Sequence, residues 1–331
     1  MTLKEVYREG CGELSKACVP DVENDAWLLL THVFSISRAA YYLKAAEEAG
    51  QTKTEEYRKL IRERAGRRPL QQITGEQEFM GLSFLVTEDV LVPRQDSETL
   101  VEEVLKDLQD PASKREAIRQ MIEGQERTGT ESLSILDLCT GSGCLGLSAL
   151  AFLEKKGTHA TLLCTDLSEK ALQVALQNRD RVLPEACRER VRFARGDLFE
   201  AVSGLALGEK ESMPQEPNSA TAPDSVPAFD IILSNPPYIP TSEVERLMPE
   251  VKDFEPRMAL DGEADGLAFY RRIAREAPEY LKKNGRIYLE IGYDQGEAVS
   301  ALLEKNGFTD IAVVRDLAGN DRVVKGRLPK G

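Results

Sequence analysis

Apolar residues recur every three or four positions through the first 70 residues, as at Ala26-Trp27-Leu28-Leu29-Leu30, Val33 and Phe34, and again at Tyr57, Leu60 and Ile61. This spacing lines them along one helix face, so the front of the chain is expected to form a small helical bundle, with Asp21 and Thr52 as helix caps. The period then changes. Gln77-Glu78-Phe79-Met80 and Ser83-Phe84-Leu85-Val86-Thr87, joined through Gly81-Leu82, predict a short hairpin, and Leu91-Val92-Pro93-Arg94-Gln95-Asp96-Ser97-Glu98 leads from it into a helix through Leu108. Further on, compact apolar runs predict buried strands at residues 132–138, 161–165, 191–194, 229–234 and 286–291. Helices are expected among them at 147–153, 267–283 and 295–306. Residues 311–314 and 322–325 read as a terminal antiparallel pair. Two polar stretches interrupt the pattern, a charged one at 110–131 and one rich in Pro, Ser, Ala and acids at 208–227, and both are expected to be peripheral.

Chemistry gathers at the predicted strand ends. The first strand runs into Cys139-Thr140-Gly141-Ser142-Gly143-Cys144-Leu145-Gly146, where the first two glycines let backbone pass close to a ligand and the third permits tight helix-to-strand packing. Such a loop is shared with dinucleotide binders. The acids that follow narrow the choice. Asp166 closes the next strand about twenty residues on, where a carboxylate accepts the two hydroxyls of a ribose. Asp197 follows the third strand and is placed to take an adenine amino group, with the ring against Leu198; by itself it also reads as a helix cap or turn residue. The predicted ligand is of adenosine type, held by Cys139, Thr140, Gly141, Ser142, Gly143, Asp166, Asp197, Leu198 and Asn235.

The fourth strand ends in Asn235-Pro236-Pro237-Tyr238. Two prolines stiffen the backbone and offer carbonyl acceptors without N–H donors. Asn235 adds another acceptor and Tyr238 an aromatic face, so the corner suits a planar –NH2 group with two hydrogens to place. In an isolated chain Pro-Pro reads only as a rigid turn. Here it completes a series of four strand ends, and methyl transfer to nitrogen is the chemistry expected, with Asn235, Pro236 and Tyr238 catalytic and Asn235, Pro236, Pro237 and Tyr238 binding the acceptor.

Composition narrows the classes further. At 331 residues one catalytic domain plus a smaller one is expected, and a net charge of -13 argues against broad nucleic-acid affinity. The six cysteines form no C-x-x-C pair and read as reduced, packed thiols; with only two histidines no metal site is expected. Trp27, Tyr41 and Tyr42 read as packing residues and His32 as a helix-face residue. The first residues lack an apolar signal core and no apolar run reaches membrane-spanning length, so a cytoplasmic protein is expected.

Several segments together resemble the peptide chain release factor glutamine methyltransferases: Arg68-Pro69-Leu70-Gln71-Gln72-Ile73-Thr74-Gly75, Val92-Pro93-Arg94-Gln95-Asp96-Ser97-Glu98, the glycine loop, Asn235-Pro236-Pro237-Tyr238, Phe254-Glu255-Pro256-Arg257-Met258-Ala259-Leu260 and Arg315-Asp316-Leu317-Ala318-Gly319-Asn320-Asp321-Arg322. The resemblance implies an α/β fold: a Rossmann-like, seven-stranded S-adenosylmethionine-dependent methyltransferase domain preceded by a small all-helical domain. It divides the chain into a helical substrate-recognition domain (1–75), a hairpin linker (76–92) and a catalytic domain (93–331). It also implies S-adenosyl-L-methionine as cofactor and release factors as partners modified at the Gln of a Gly-Gly-Gln motif; from charge and hydropathy no direct nucleic-acid or membrane partner is expected, and a monomer is expected. Two departures stand out: Cys139 occupies a usual glycine position, and Leu198 stands where some members carry an aromatic. Three rivals remain at this point: a nucleic-acid amino methyltransferase acting on adenine or guanine, a nicotinamide-dependent oxidoreductase, and a non-catalytic release-factor binder.

Overall fold

The computed structural model describes residues 1–109, 132–206 and 228–330. The expectations for 110–131 and 208–227 lie outside the described residues. Five helices make up the front: α1 (Leu3–Lys16), α2 (Val22–Phe34), α3 (Arg38–Lys44), α4 (Gln51–Ala65) and α5 (Leu70–Thr74). Leu14, Leu29, Leu30 and Tyr57 fill their common core, and the Tyr57 hydroxyl donates to the Ala26 carbonyl at 3.1 Å. Neither predicted cap functions as one. Asp21 precedes α2 with φ -117° and ψ 61°, outside the extended conformation that aims a side-chain oxygen at the first turn, and α4 starts at Gln51 behind Gly50, which leaves Thr52 inside the helix. Thr2 caps α1 instead, in a reciprocal box with Glu5. Trp27 and Tyr41 meet edge to face at 5.1 Å, and Tyr42, although 73% exposed, meets Tyr41 edge to face at 5.7 Å.

A hairpin of β1 (Glu76–Phe79) and β2 (Leu82–Leu85) follows, turned by Met80-Gly81 with positive φ at both positions, the two-residue geometry that matches strand twist. After α6 (Glu98–Gln109) come β3 (Leu133–Leu138), α7 (Cys144–Lys155), β4 (Ala160–Asp166), α8 (Glu169–Val182), β5 (Val191–Arg195), α9 (Glu200–Ala206), β6 (Phe229–Ser234), α10 (Ala268–Tyr280), β7 (Leu281–Glu290), α11 (Gly296–Lys305), β8 (Thr309–Arg315) and β9 (Asp321–Arg327). The seven strands lie in the order β5-β4-β3-β6-β7-β9-β8, parallel except for β9, which runs antiparallel to both of its neighbours. The sheet is covered on both faces, which explains its unbroken apolar runs. Along β3, Ile135 packs into one layer with Leu147 and Leu150, while Leu136 packs into the other with Tyr270 and Ile273. The helix expected over 267–283 stops at Tyr280, because Leu281 already pairs with Phe229 at the start of β7.

Buried ion pairs dock the front on the body. Arg64 contacts Asp25 at 2.6 Å and Glu250 at 2.9 Å, and Arg67 contacts Glu250 at 2.6 Å. The Gln72 amide donates to the Phe254 carbonyl at 2.9 Å. All of these acceptors in the body lie in the segment just beyond Tyr238.

Candidate active site

The glycine loop owes its shape to Asp137, wholly buried near the end of β3. Its Oδ2 accepts from the Thr140 hydroxyl at 2.6 Å and from the Gly146 N–H at 3.0 Å, pinning both ends of the loop to one carboxyl. Oδ1 has no partner, and burial pushes the acid up to about 7 despite those two hydrogen bonds. A Cβ on Gly146 would stand 2.7 Å from Asp137 Oδ2, so this position has no room for a side chain. Cys139 begins the loop with φ 57°, a left-handed conformation that costs a residue bearing Cβ about 1 kcal/mol.

The loop forms one wall of a cavity of about 690 Å³ at the carboxyl ends of β3 to β6. This is the crevice where open parallel sheets hold ligands. Cys139, Thr140, Gly141 and Ser142 line one side, Asp166, Asp197 and Leu198 another, and Asn235 and Pro237 close it. Asp166 Oδ2 accepts from the Gly141 N–H at 2.9 Å and Oδ1 from the Ser168 N–H at 2.8 Å, leaving each oxygen a second acceptor site. Burial raises this acid, against the pull of those backbone donors. Asp197 is paired with Arg272 at 2.9 Å, an interaction invisible in the sequence, and Leu198 beside it is buried with φ 52°. The space that a Cβ would take at Gly141 is open. An adenosine-type ligand fits a cavity with this volume, two acids on successive strand ends and open backbone at the loop.

Asn235, Pro236, Pro237 and Tyr238 form a partition rather than a single surface. Asn235 and Pro237 face the large cavity; Tyr238 lines a second one of about 500 Å³ together with Gln71, Pro93, Arg94, Glu290 and Arg322. Pro236 is buried and Gly143 lies under the loop, so neither of these predicted contacts lines either cavity. Among the described residues none hydrogen-bonds the Asn235 carboxamide. The Phe254 to Leu260 motif supports the partition from outside: Ile239 N–H donates to the Leu260 carbonyl at 3.0 Å, and Gly262 N–H to the Ile239 carbonyl at 2.8 Å. Glu255 in that motif is buried against Arg94 at 2.6 Å, and Glu98 accepts from the Met80 N–H at 2.7 Å, so both linker charges have structural partners.

Sequence reasoning passed over Glu290. It closes β7, is 2% exposed, has an unpartnered Oε2, and burial pushes its carboxyl up to about 7 although Ser97, Tyr238 and Arg322 pull it down. A carboxylate ending an apolar strand was the available signal. Among the described residues no helix is long and apolar enough to cross a membrane.

Comparison with known proteins accords with this geometry. A family model described as the PrmC N-terminal domain matches residues 5–75. The release factor glutamine methyltransferase of Geobacter sulfurreducens is 35% identical over 327 residues, 99% of this chain and 97% of that one. Its counterpart in Clostridium botulinum is 34% identical over 333 residues, 99% of each chain. The solved protein-(glutamine-N5) methyltransferase (release factor-specific) of Alicyclobacillus acidocaldarius is 22% identical, covering 75% of this chain and 100% of that one with a TM-score of 0.36, too low to add to the assignment. Identity of this size across nearly the whole of both sequences means that the chain belongs to the release factor glutamine methyltransferase family, whose methyl donor is S-adenosylmethionine.

Proposed function

We propose that this chain methylates the side-chain amide nitrogen of the Gln in the Gly-Gly-Gln motif of peptide chain release factors. The observation that carries this reading is the Asn235 carboxamide, unengaged by the described residues and set in a proline-stiffened partition at the edge of the large cavity. Asp166 takes the ribose hydroxyls, the backbone from Cys139 to Ser142 carries the amino-acid end, and Asp197 with Leu198 takes the adenine. S-adenosylmethionine, when bound, supplies a methyl group on a positively charged sulfur.

An amide nitrogen is a poor nucleophile because its lone pair is delocalised into the carbonyl. Asn235 Oδ1, facing the large cavity, accepts one of its N–H bonds, which limits the direction of that lone pair, and its dipole favours the positive charge that develops on nitrogen until the surplus N–H proton leaves to solvent. Tyr238 lines the second cavity and backs the Asn235 corner from the far side of the partition. The front bundle, residues 1–75, recognises the release factor, and the enzyme works as a monomer in the cytoplasm.

The test is to incubate the chain with labelled cofactor and a release factor and to map the methyl by mass spectrometry, with a Gln-to-Ala substrate as control. Label on that Gln alone supports the reading; label on nucleic acid or on another residue overturns it. Asn235→Ala should lower kcat by about 100-fold or more, the scale of losing one preorganised polar contact, with cofactor affinity nearly unchanged.

A further inference from the structure

The partition is held from behind by a side chain that touches neither cavity. Gln295 is buried, 8% exposed, in the turn between β7 and α11. Its Nε2 donates to the Tyr238 carbonyl at 3.0 Å and to the Gly266 carbonyl at 3.3 Å, while its Oε1 accepts from the Gly292 N–H at 2.9 Å. Both N–H bonds and the oxygen are therefore committed, and three chain segments meet on one carboxamide. The opposite side is equally tight. A Cβ on Gly262 would stand 2.7 Å from Tyr238 Cα, and one on Gly266, which has φ +72°, would stand 2.8 Å from Gln295 Nε2. Ahead of Tyr238 the two prolines have fixed φ, which leaves the corner fewer backbone torsions to compensate when Tyr238 is displaced. No other donor among the described residues reaches the Tyr238 carbonyl.

We infer that Gln295 is a positioning residue of the transfer site, setting the orientation of the Asn235-Pro236-Pro237-Tyr238 partition through the Tyr238 carbonyl. The inference rests on the proposed amide methylation only for its kinetic effect. Gln295 lines neither cavity, so its loss acts on the placement of the acceptor nitrogen and spares cofactor binding. A misplacement of this kind lowers kcat more than KM.

The experiment compares full-length wild type with Gln295→Met, which keeps the volume but has no donor, and Gly266→Ala, which wedges the same contact from the other side. Calorimetry gives cofactor Kd, steady-state kinetics give kcat and KM for the acceptor protein, and hydrogen exchange reads the Ile239 N–H just beyond the partition. For both variants the expected result is kcat lowered at least tenfold, KM and cofactor Kd within threefold of wild type, and faster exchange at Ile239. Folded variants with kcat within twofold of wild type and unchanged exchange overturn the inference, even if their melting temperature falls. If wild type itself methylates no glutamine, the proposed function fails, while exchange at Ile239 still reads the hold of Gln295. Should Gln295→Met not fold, Gly266→Ala alone decides between the two results.

Discussion

The two cavities flanking the 235–238 partition are each backed by a buried carboxylic acid, and the acids differ in what they hold. Asp137, behind the large cavity, is tied by a hydroxyl and a backbone N–H into the glycine loop. Glu290, behind the small one, is packed among Ser97, Tyr238 and Arg322, side chains that can turn. Burial raises both to about 7. The difference teaches that similar burial and similar proton affinity serve opposite ends: one acid fixes main chain, the other lies against side chains at an open chamber.

The largest expected effect breaks the comparison on the Asp137 side. Asp137→Ala leaves the Gly146 N–H and the Thr140 hydroxyl buried without an acceptor and should destabilise the fold by roughly 3 kcal/mol in denaturant unfolding. A loss under about 1 kcal/mol would show that the loop holds its shape without this anchor. Next comes Asp166→Ala, which removes a carboxyl acceptor, oriented by the Gly141 and Ser168 N–H groups, from the large cavity. Cofactor Kd should rise by about 10-fold in calorimetry, the equivalent of about one lost hydrogen bond, and an unchanged Kd would displace the cofactor from this wall.

The Glu290 side is sharpened by pH. Burial lifts this acid from 4.5 to about 7, so between those values the folded chain keeps a proton that the unfolded chain has released. Stability contributed by the group therefore falls as pH rises through that window and stays low above it. Asp137, lifted from 3.8 to about 7, adds a slope of the same sign. Melting temperatures of Glu290→Gln at pH 5 and pH 7.5 should differ less than those of wild type; an identical difference would mean that Glu290 does not titrate there. The smallest effect is that of Cys139→Gly, where relief of the left-handed backbone competes with loss of a half-buried thiol. The urea midpoint should rise by an amount worth about 0.5 kcal/mol, and a lower midpoint would show that thiol packing outweighs the strain.

What was legible in the sequence is what lies on contiguous residues. Strand β3 with its glycine loop, Asp166 at the end of β4 and the fourth strand with its two prolines were all readable, because both sheet faces are covered and the runs stay apolar. The end of α10 was not: Leu281 satisfies a helical face and a strand equally, and only its pairing with Phe229 decides. Helix α8, whose Asn178 bonds the Leu85 backbone, drew no attention because nothing in its pattern carries chemistry. The small cavity was invisible because its walls come from the front bundle, the linker, the partition, β7 and β9. Arg272 beside Asp197 and Gln295 beside Tyr238 are contacts between distant positions, and a single sequence contains no record of such meetings.

The arginines of α4 and its end bear on how this protein can be divided. Among the described residues Glu250 pairs only with Arg64 and Arg67, and the Phe254 carbonyl accepts from the Gln72 amide. Cutting the chain near residue 75 would strand an anion and a carbonyl just downstream of the partition, so the body is not a detachable cassette. Evolution or engineering that exchanges the front bundle for another domain must carry those three side chains across the junction, or supply equivalents.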